Sequence, residues 1–174
     1  MIGAVEGITK EADEAIVILD KTIFHPQGGG QPNDEGHMQN ADGSVKFIVN
    51  NLVCKKDAIY HVGTYEPKGS SFAKDDKVDV KVNEELRRLA ARFHSAGHLL
   101  DMAMNKAGRP DLKPSKGYHF TTGGAYVEYI GNVDEKERPA LIADLNKYSK
   151  EIIEGTPEEM KVFKKVCSYE EAGQ

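Results

Sequence analysis

Only two cysteines occur in the 174-residue sequence, Cys54 and Cys167, far apart and outside any CxxC pair. Neither a disulfide framework nor a zinc ribbon is therefore expected, and both thiols read as reduced. No apolar run is long enough to span a bilayer, and the N-terminus lacks a basic segment followed by an apolar one. The expectation is a chain neither embedded in a membrane nor exported, with a cytoplasmic location as the default. Positive charge is also scarce, 23 Lys and Arg against 28 Asp and Glu, for a formal net charge of -5. That balance argues against a nonspecific DNA or membrane binder, whose affinity comes largely from clustered cations. RNA stays open, because Lys55 with Lys56, Arg87 with Arg88 and Arg92, and Lys161 with Lys164 and Lys165 form local basic groups. Any one of these groups is also what an ordinary mixed-charge surface looks like. Internal repeats and low-complexity segments are absent.

What is present is an ordinary globular composition, 39% hydrophobic and 29% charged, in a chain long enough for one domain or two small ones. Two periods divide it. Up to about Val82 the sequence alternates short β-branched runs with turn residues, which predicts strands over 4–8, 15–19, 45–49, 58–62 and 78–82. Asp42-Gly43 reads as a tight turn, and 63–77 as a long loop. Short antiparallel strands at this spacing suggest a small barrel or sandwich over 1–82. From Asn83 the period becomes helical: Leu86, Leu89, Ala90, Phe93, Gly97, Leu100 and Met104 form one stripe. Asn83 is a cap candidate, Glu84 and Glu85 fill the first turn, and Gly108 with Pro110 supply the stop. GYHFTTGGAYVEYI then reads as a hairpin, 136–154 as a second helix with Leu141, Leu145, Tyr148 and Ile152 on one face, and 160–166 as a strand. Ser168 with Glu171 has the form of a capping box.

Two motifs carry chemistry. His94 and His98 are four residues apart on the predicted helix, hence on one face and able to present two imidazoles to one metal ion. Residue 95 is Ser, so the built-in general base of HExxH peptidases is missing. Catalytic zinc normally takes three protein ligands; His119, Cys167, His25, His37 and Cys54 are the candidates for completion, and spacing does not choose among them. The second motif is FHPQGGGQPNDEGH over 24–37. Gly28, Gly29 and Gly30 can adopt backbone angles barred to other residues and expose their amides to a close ligand. No Lys-Ser or Lys-Thr follows, so it is not a phosphate-binding P-loop, and Pro26 and Pro32 fit poorly with a dinucleotide fingerprint. GGG alone is an ordinary flexible connection; Gln27 and Gln31, stiffened by the two prolines, suggest a shaped polar surface.

Together, KTIFHPQGGGQPNDEG and, some sixty residues later, RFHSAGHLL resemble the editing module of alanyl-tRNA synthetase and, more closely, free-standing AlaX-type alanyl-tRNA editing proteins. The likeness extends to GYHF and AYVEY and covers most of the chain. It implies an α+β fold: a small N-terminal β-barrel-like domain, 1–82, carrying the glycine loop, then a two-layer α+β editing core with an antiparallel sheet, 83–174. It implies a zinc cofactor with His94 and His98 as ligands, a loop reaching over that site, and hydrolysis of tRNA(Ala) mischarged with serine or glycine. By position Gln31 matches the family glutamine, and Thr22 a threonine that in some members helps read the seryl hydroxyl. The family's later CxxxH is missing, Cys167 being followed four residues on by Glu171. The expectation is a truncated chain in which Cys167 is not the missing ligand, the start also being short. The competing expectation is a noncatalytic tRNA-binding or accessory module that keeps the fold but has an incomplete metal site.

Overall fold

The computed structural model describes residues 1–11, 14–56, 58–120 and 124–155. They form two compact units, one of 1–97 with 114–129, the other of 98–113 with the described residues from 130 onward. In the first unit six strands close an antiparallel barrel: β1 (Ile2–Glu11), β2 (Glu14–Leu19), β3 (Gly36–Asn40), β4 (Lys46–Lys55), β5 (Ala58–Glu66) and β6 (Lys77–Val82), in the order β1-β2-β5-β4-β3-β6. Strict alternation makes it close on an apolar interior. In β2, Ala15, Val17 and Leu19 are buried while Ile16 and Ile18 are only half-buried, and in β6 Val78 and Val80 point inward. Val5, Met38, Phe47 and Val49 complete the packing, with Phe24 and Phe72 contributed by loops.

The barrel corrects the expected strand list in two places. β3, GHMQN, carries no β-branched residue and so leaves no strand signal, yet it pairs with both β4 and β6 and puts Met38 fully inside. The stretch expected as loop over 63–77 begins as strand, since β5 continues to Glu66 opposite a register shift in β4 between Val49 and Asn51.

Helix α1 (Glu84–Lys106) starts where expected. The Asn83 side-chain oxygen accepts the Leu86 N–H at 3.2 Å, a cap on one of the four donors a helix start leaves over. Its covered stripe contains Ala90, Gly97, Ala103 and Met104, whereas Leu89 is 39% exposed and lies off it. Gly108, at φ 74°, turns the chain away. Strands β7 (Lys113–Tyr118) and β8 (Tyr126–Ile130) make a separate two-stranded sheet. Helix α2 (Arg138–Glu154) half-buries Leu141, Leu145, Tyr148 and Ile152, and buries none of its residues fully. The class is α+β, as expected. No described helix is long and apolar enough to cross a membrane. The strand expected over 160–166 and the capping box at Ser168 lie outside the described residues.

A polar side chain sits in the barrel interior. His61 on β5 is fully buried, with Nδ1 2.9 Å from the Val17 carbonyl and Nε2 2.9 Å from Thr22 Oγ1. A carbonyl oxygen only accepts, so Nδ1 carries the proton, and in the neutral ring Nε2 then accepts from the Thr22 hydroxyl. Burial holds His61 below its ordinary pKa of 6.5, against a smaller upward pull from Val17. His37 on β3 is lowered too, by burial and then by Lys46 and Lys81. Both rings therefore bind protons more readily in the unfolded chain, so this part of the stability is complete above about pH 6.5 and declines as pH falls toward the lowered folded-state values. Urea midpoints measured from about pH 7.5 down to 5 should fall, and His61→Gln should flatten part of that slope. An unaltered slope in the variant would show that His61 makes no contribution.

Candidate functional site

Within the first unit, the glycine loop is a turn with a defined geometry. Gly28 N–H donates to the Gln31 carbonyl at 3.1 Å and Gln31 N–H to the Gly28 carbonyl at 3.0 Å. Gly29 and Gly30 lie between them at φ 57° and 83°, the signature of a type I′ turn, which asks for φ > 0 at both central residues. The structure thus uses the backbone of Gln31 to close the turn, and its side chain is half-buried. This closure occupies two amides, and the Gly29 and Gly30 N–H groups lie outside it.

The turn is pinned at its base and its tip. The Asp34 carboxylate, buried, accepts from Arg87 Nε at 2.6 Å, from Arg87 Nη2 and from the His25 N–H. Arg87 Nη2 also donates to the Ile23 carbonyl at 2.6 Å, and the Asp34 N–H to the His25 carbonyl at 3.0 Å. One guanidinium on the first turns of α1 therefore holds both ends of the segment that carries the glycines. Asn33 accepts the Gln27 N–H on its carboxamide oxygen and donates from its carboxamide nitrogen to Asn51 Oδ1. At the tip, the His119 N–H donates to the Gly30 carbonyl at 2.9 Å.

That tip sits on two imidazoles. A Cβ placed on Gly29 would lie 3.7 Å from His94 Cε1, and one on Gly30 would lie 2.9 Å from His119 Cδ2 and collide with the Gly117 carbonyl. The two rings are neighbours, with centroids 4.7 Å apart. His119 is buried, wedged over Gly97 of α1, where a Cβ would stand 3.2 Å from its Nδ1 and closer still to Cε1, and over Gly117, where one would meet Nε2 at 2.6 Å. Glycine is needed at 97 and 117 for this close approach. Two cavities flank the loop. One of about 680 Å³ is lined by Gln27 to Gly30, Ser115 to Tyr118 and Tyr126; the other, of about 250 Å³, includes Gln27, Asp34, Arg87 and Phe120.

The remaining sequence candidates are placed as follows. Thr22 is half-buried, donating to His61 and accepting the Phe24 N–H at 3.1 Å. His98, one turn after His94 on α1, is largely exposed, with Nδ1 3.6 Å from Asp101 Oδ2. His37 is on β3, Cys54 is exposed on β4, and Cys167 lies outside the described residues. Among the described residues, no three His, Cys, Asp or Glu side chains gather into a metal-holding group. A catalytic zinc centre takes three donors, so His94 and His98 alone do not fit one. Asp34, Arg87 and His61 had no local signal by which the sequence could have announced them.

Residues 4–86 match the family described as class II (A) tRNA synthetases. The chain is 30% identical to the alanyl-tRNA editing protein AlaX-L of Pyrococcus horikoshii over 127 residues, 73% of this chain and 30% of that protein. It is 35% identical to the alanine–tRNA ligase of Clostridioides difficile over 134 residues, 72% of this chain and 14% of the ligase. To AlaX-M of Pyrococcus horikoshii it is 29% identical over 146 residues, 82% of this chain and 63% of that protein. It spans less than two thirds of each of these relatives.

The geometry makes two demands that can be measured. Removing one partner of the Asp34–Arg87 pair strands a buried charge or carbonyl, so Arg87→Ala should cost about 3 kcal/mol in urea unfolding, and Asp34→Ala with Arg87→Ala should cost clearly less than the sum of the singles. Gly97→Ala should cost about 1–3 kcal/mol by overpacking, and that cost should vanish in a His119→Ala background. An equal cost in both backgrounds would mean the ring is not what demands glycine.

Proposed function

We propose, from its likeness to alanyl-tRNA editing proteins over most of its length, that the chain belongs to their family and hydrolyses the ester of tRNA(Ala) mischarged with serine, and with glycine, at the cleft beside the glycine turn. The observation that carries this reading is the seating of the Gly29–Gly30 tip against His94 and His119 at the edge of the 680 Å³ cavity.

An aminoacyl ester is already activated, so the residues have two tasks, to position a water and to stabilise the developing oxyanion. The Gly29 and Gly30 amides are the donors that the turn leaves over for the second task. His94 and His119 are placed beside them to hold a water or take its proton. Thr22 gains a defined polarity: its proton goes to His61 and one lone pair to the Phe24 N–H, which leaves an acceptor and no donor. On this reading it accepts a hydrogen bond from the seryl hydroxyl and discriminates against alanine, which lacks one. Zinc, if held by His94 and His98, supplies a Lewis acid or a lowered pKa for bound water, and needs a further donor.

The two-donor set favours one second reading, a noncatalytic module that binds tRNA without cleaving the ester. Deacylation of Ser-tRNA(Ala) and Ala-tRNA(Ala), with and without added zinc, separates the two. Selective loss of the seryl ester is expected, slowed about 10-fold by Thr22→Val, the worth of one hydrogen bond, and more strongly by Gly30→Ala. Bound tRNA with its seryl ester intact under both conditions would instead select the noncatalytic reading.

A further inference from the structure

The sheet of β7 and β8 presents a feature that the turn and the histidines do not explain. Tyr118 and Tyr126 stack across it with ring centroids 5.6 Å apart and planes 9° apart, and Phe120 stacks on Tyr118 at 4.2 Å and 20°. Aromatic rings are among the largest apolar groups a chain can bury, yet Tyr118 is 43% and Tyr126 46% exposed. Both tyrosines line the 680 Å³ cavity together with Lys116 and the glycines. Phe120 lines the smaller cavity beyond Gln27, so the ladder runs from one cavity to the other.

Stacked rings, a cation and backbone amides around one cavity match a particular ligand chemistry. A nucleobase has a π-face that any aromatic ring can extend, and its phosphate takes a cation or amide donors; stacking of this kind serves unpaired strands, because the faces of a base inside a duplex are already covered by its stacked neighbours. The net charge of -5 leaves little counterion release to draw on, so affinity has to come from stacking more than from phosphate contacts.

We propose that Tyr126, backed by Tyr118 and Phe120, is a stacking platform for an unpaired nucleobase at the 3′ end of an RNA, with Lys116 receiving the adjoining phosphate. The identity of the nucleic acid rests on the editing reading; the platform itself rests on the ladder and the cavity. It places the terminal nucleotides against β7 and β8 and directs the 3′ ester toward the Gly29–Gly30 tip.

The test uses a fluorescein-labelled RNA stem-loop with a four-nucleotide unpaired 3′ end and the same stem-loop ending blunt, followed by anisotropy. The overhanging RNA should bind more tightly than the blunt one. Tyr126→Ala should weaken it about 10-fold and Tyr126→Phe by less than about 3-fold, since the phenyl face is retained. Lys116→Ala should lower the salt slope by about one. Equal binding of both RNAs, or of wild type and Tyr126→Ala with both proteins folded by circular dichroism, would overturn the platform. Ser-tRNA(Ala) deacylation distinguishes the two readings. If the seryl ester is cleaved with the same KM in Tyr126→Ala, the platform fails and editing stands. If binding depends on Tyr126 while the ester survives, editing fails and the platform stands.

Discussion

The buried carboxylate of Asp34 and the guanidinium of Arg87 are the contact on which the site depends. The chain between β2 and β3 has little regular structure of its own, and a loop without partners samples many positions at small energetic cost. Asp34 ends that freedom by accepting from Arg87 and from the His25 N–H, while the same guanidinium reaches the Ile23 carbonyl. A buried charge is tolerated only when its lone pairs are matched. Here the match is made by groups at both ends of the glycine segment and by the helix that carries His94. The energetic requirement of one carboxylate thereby becomes a positional constraint on the turn.

This changes the meaning of three consecutive glycines. Flexibility is the ordinary consequence of such a run, but a turn closed by two backbone bonds and docked through Gly30 onto His119 has little left. The glycines serve geometry: two positive φ values make the turn, and the missing side chains let backbone come against imidazole. Gly97 and Gly117 serve the same end from the other side of the His119 ring. On the editing reading, donors fixed before a ligand arrives would stabilise developing charge without reorganising, which is where an ester hydrolase gains most.

How much of this was legible follows from the range of each signal. Strands such as β2 and β6 and the start of α1 were readable because alternation and caps act within a few residues. β3 was not, because its place in the barrel comes from pairing on both edges and from Met38 alone inside. GGG and HxxxH were visible as motifs. That the loop reaches over the histidines was implied by the family resemblance; the contacts that hold it there were not legible, because they run through Asp34 and Arg87, a pair of unremarkable charges separated by much of the barrel. His119 was one of several candidates beside His94 and His98, and spacing did not choose it; only the fold sets it against His94. Gln31 was expected to act by its side chain, and the structure assigns a role to its backbone.

The polarity of Thr22 carries the synthesis one step further. His61 can take the hydroxyl proton only because its own proton is committed to Val17, so the direction of the bond is set inside the barrel core. An acceptor fixed in this way suits a ligand hydroxyl and is left unmatched by a ligand that has none. On the editing reading, serine and glycine would then be admitted for different physical reasons. Serine would gain a hydrogen bond at Thr22, whereas glycine would gain only from contacts made to the ester, the amine or the RNA end. Discrimination by a hydrogen bond to a present group is strong because the rejected ligand leaves a polar atom unmatched. Exclusion of alanine in favour of glycine has to rest instead on the volume of a methyl group, a weaker device. On that reading the barrel interior, through one histidine, would separate two substrates that the glycine turn alone treats alike.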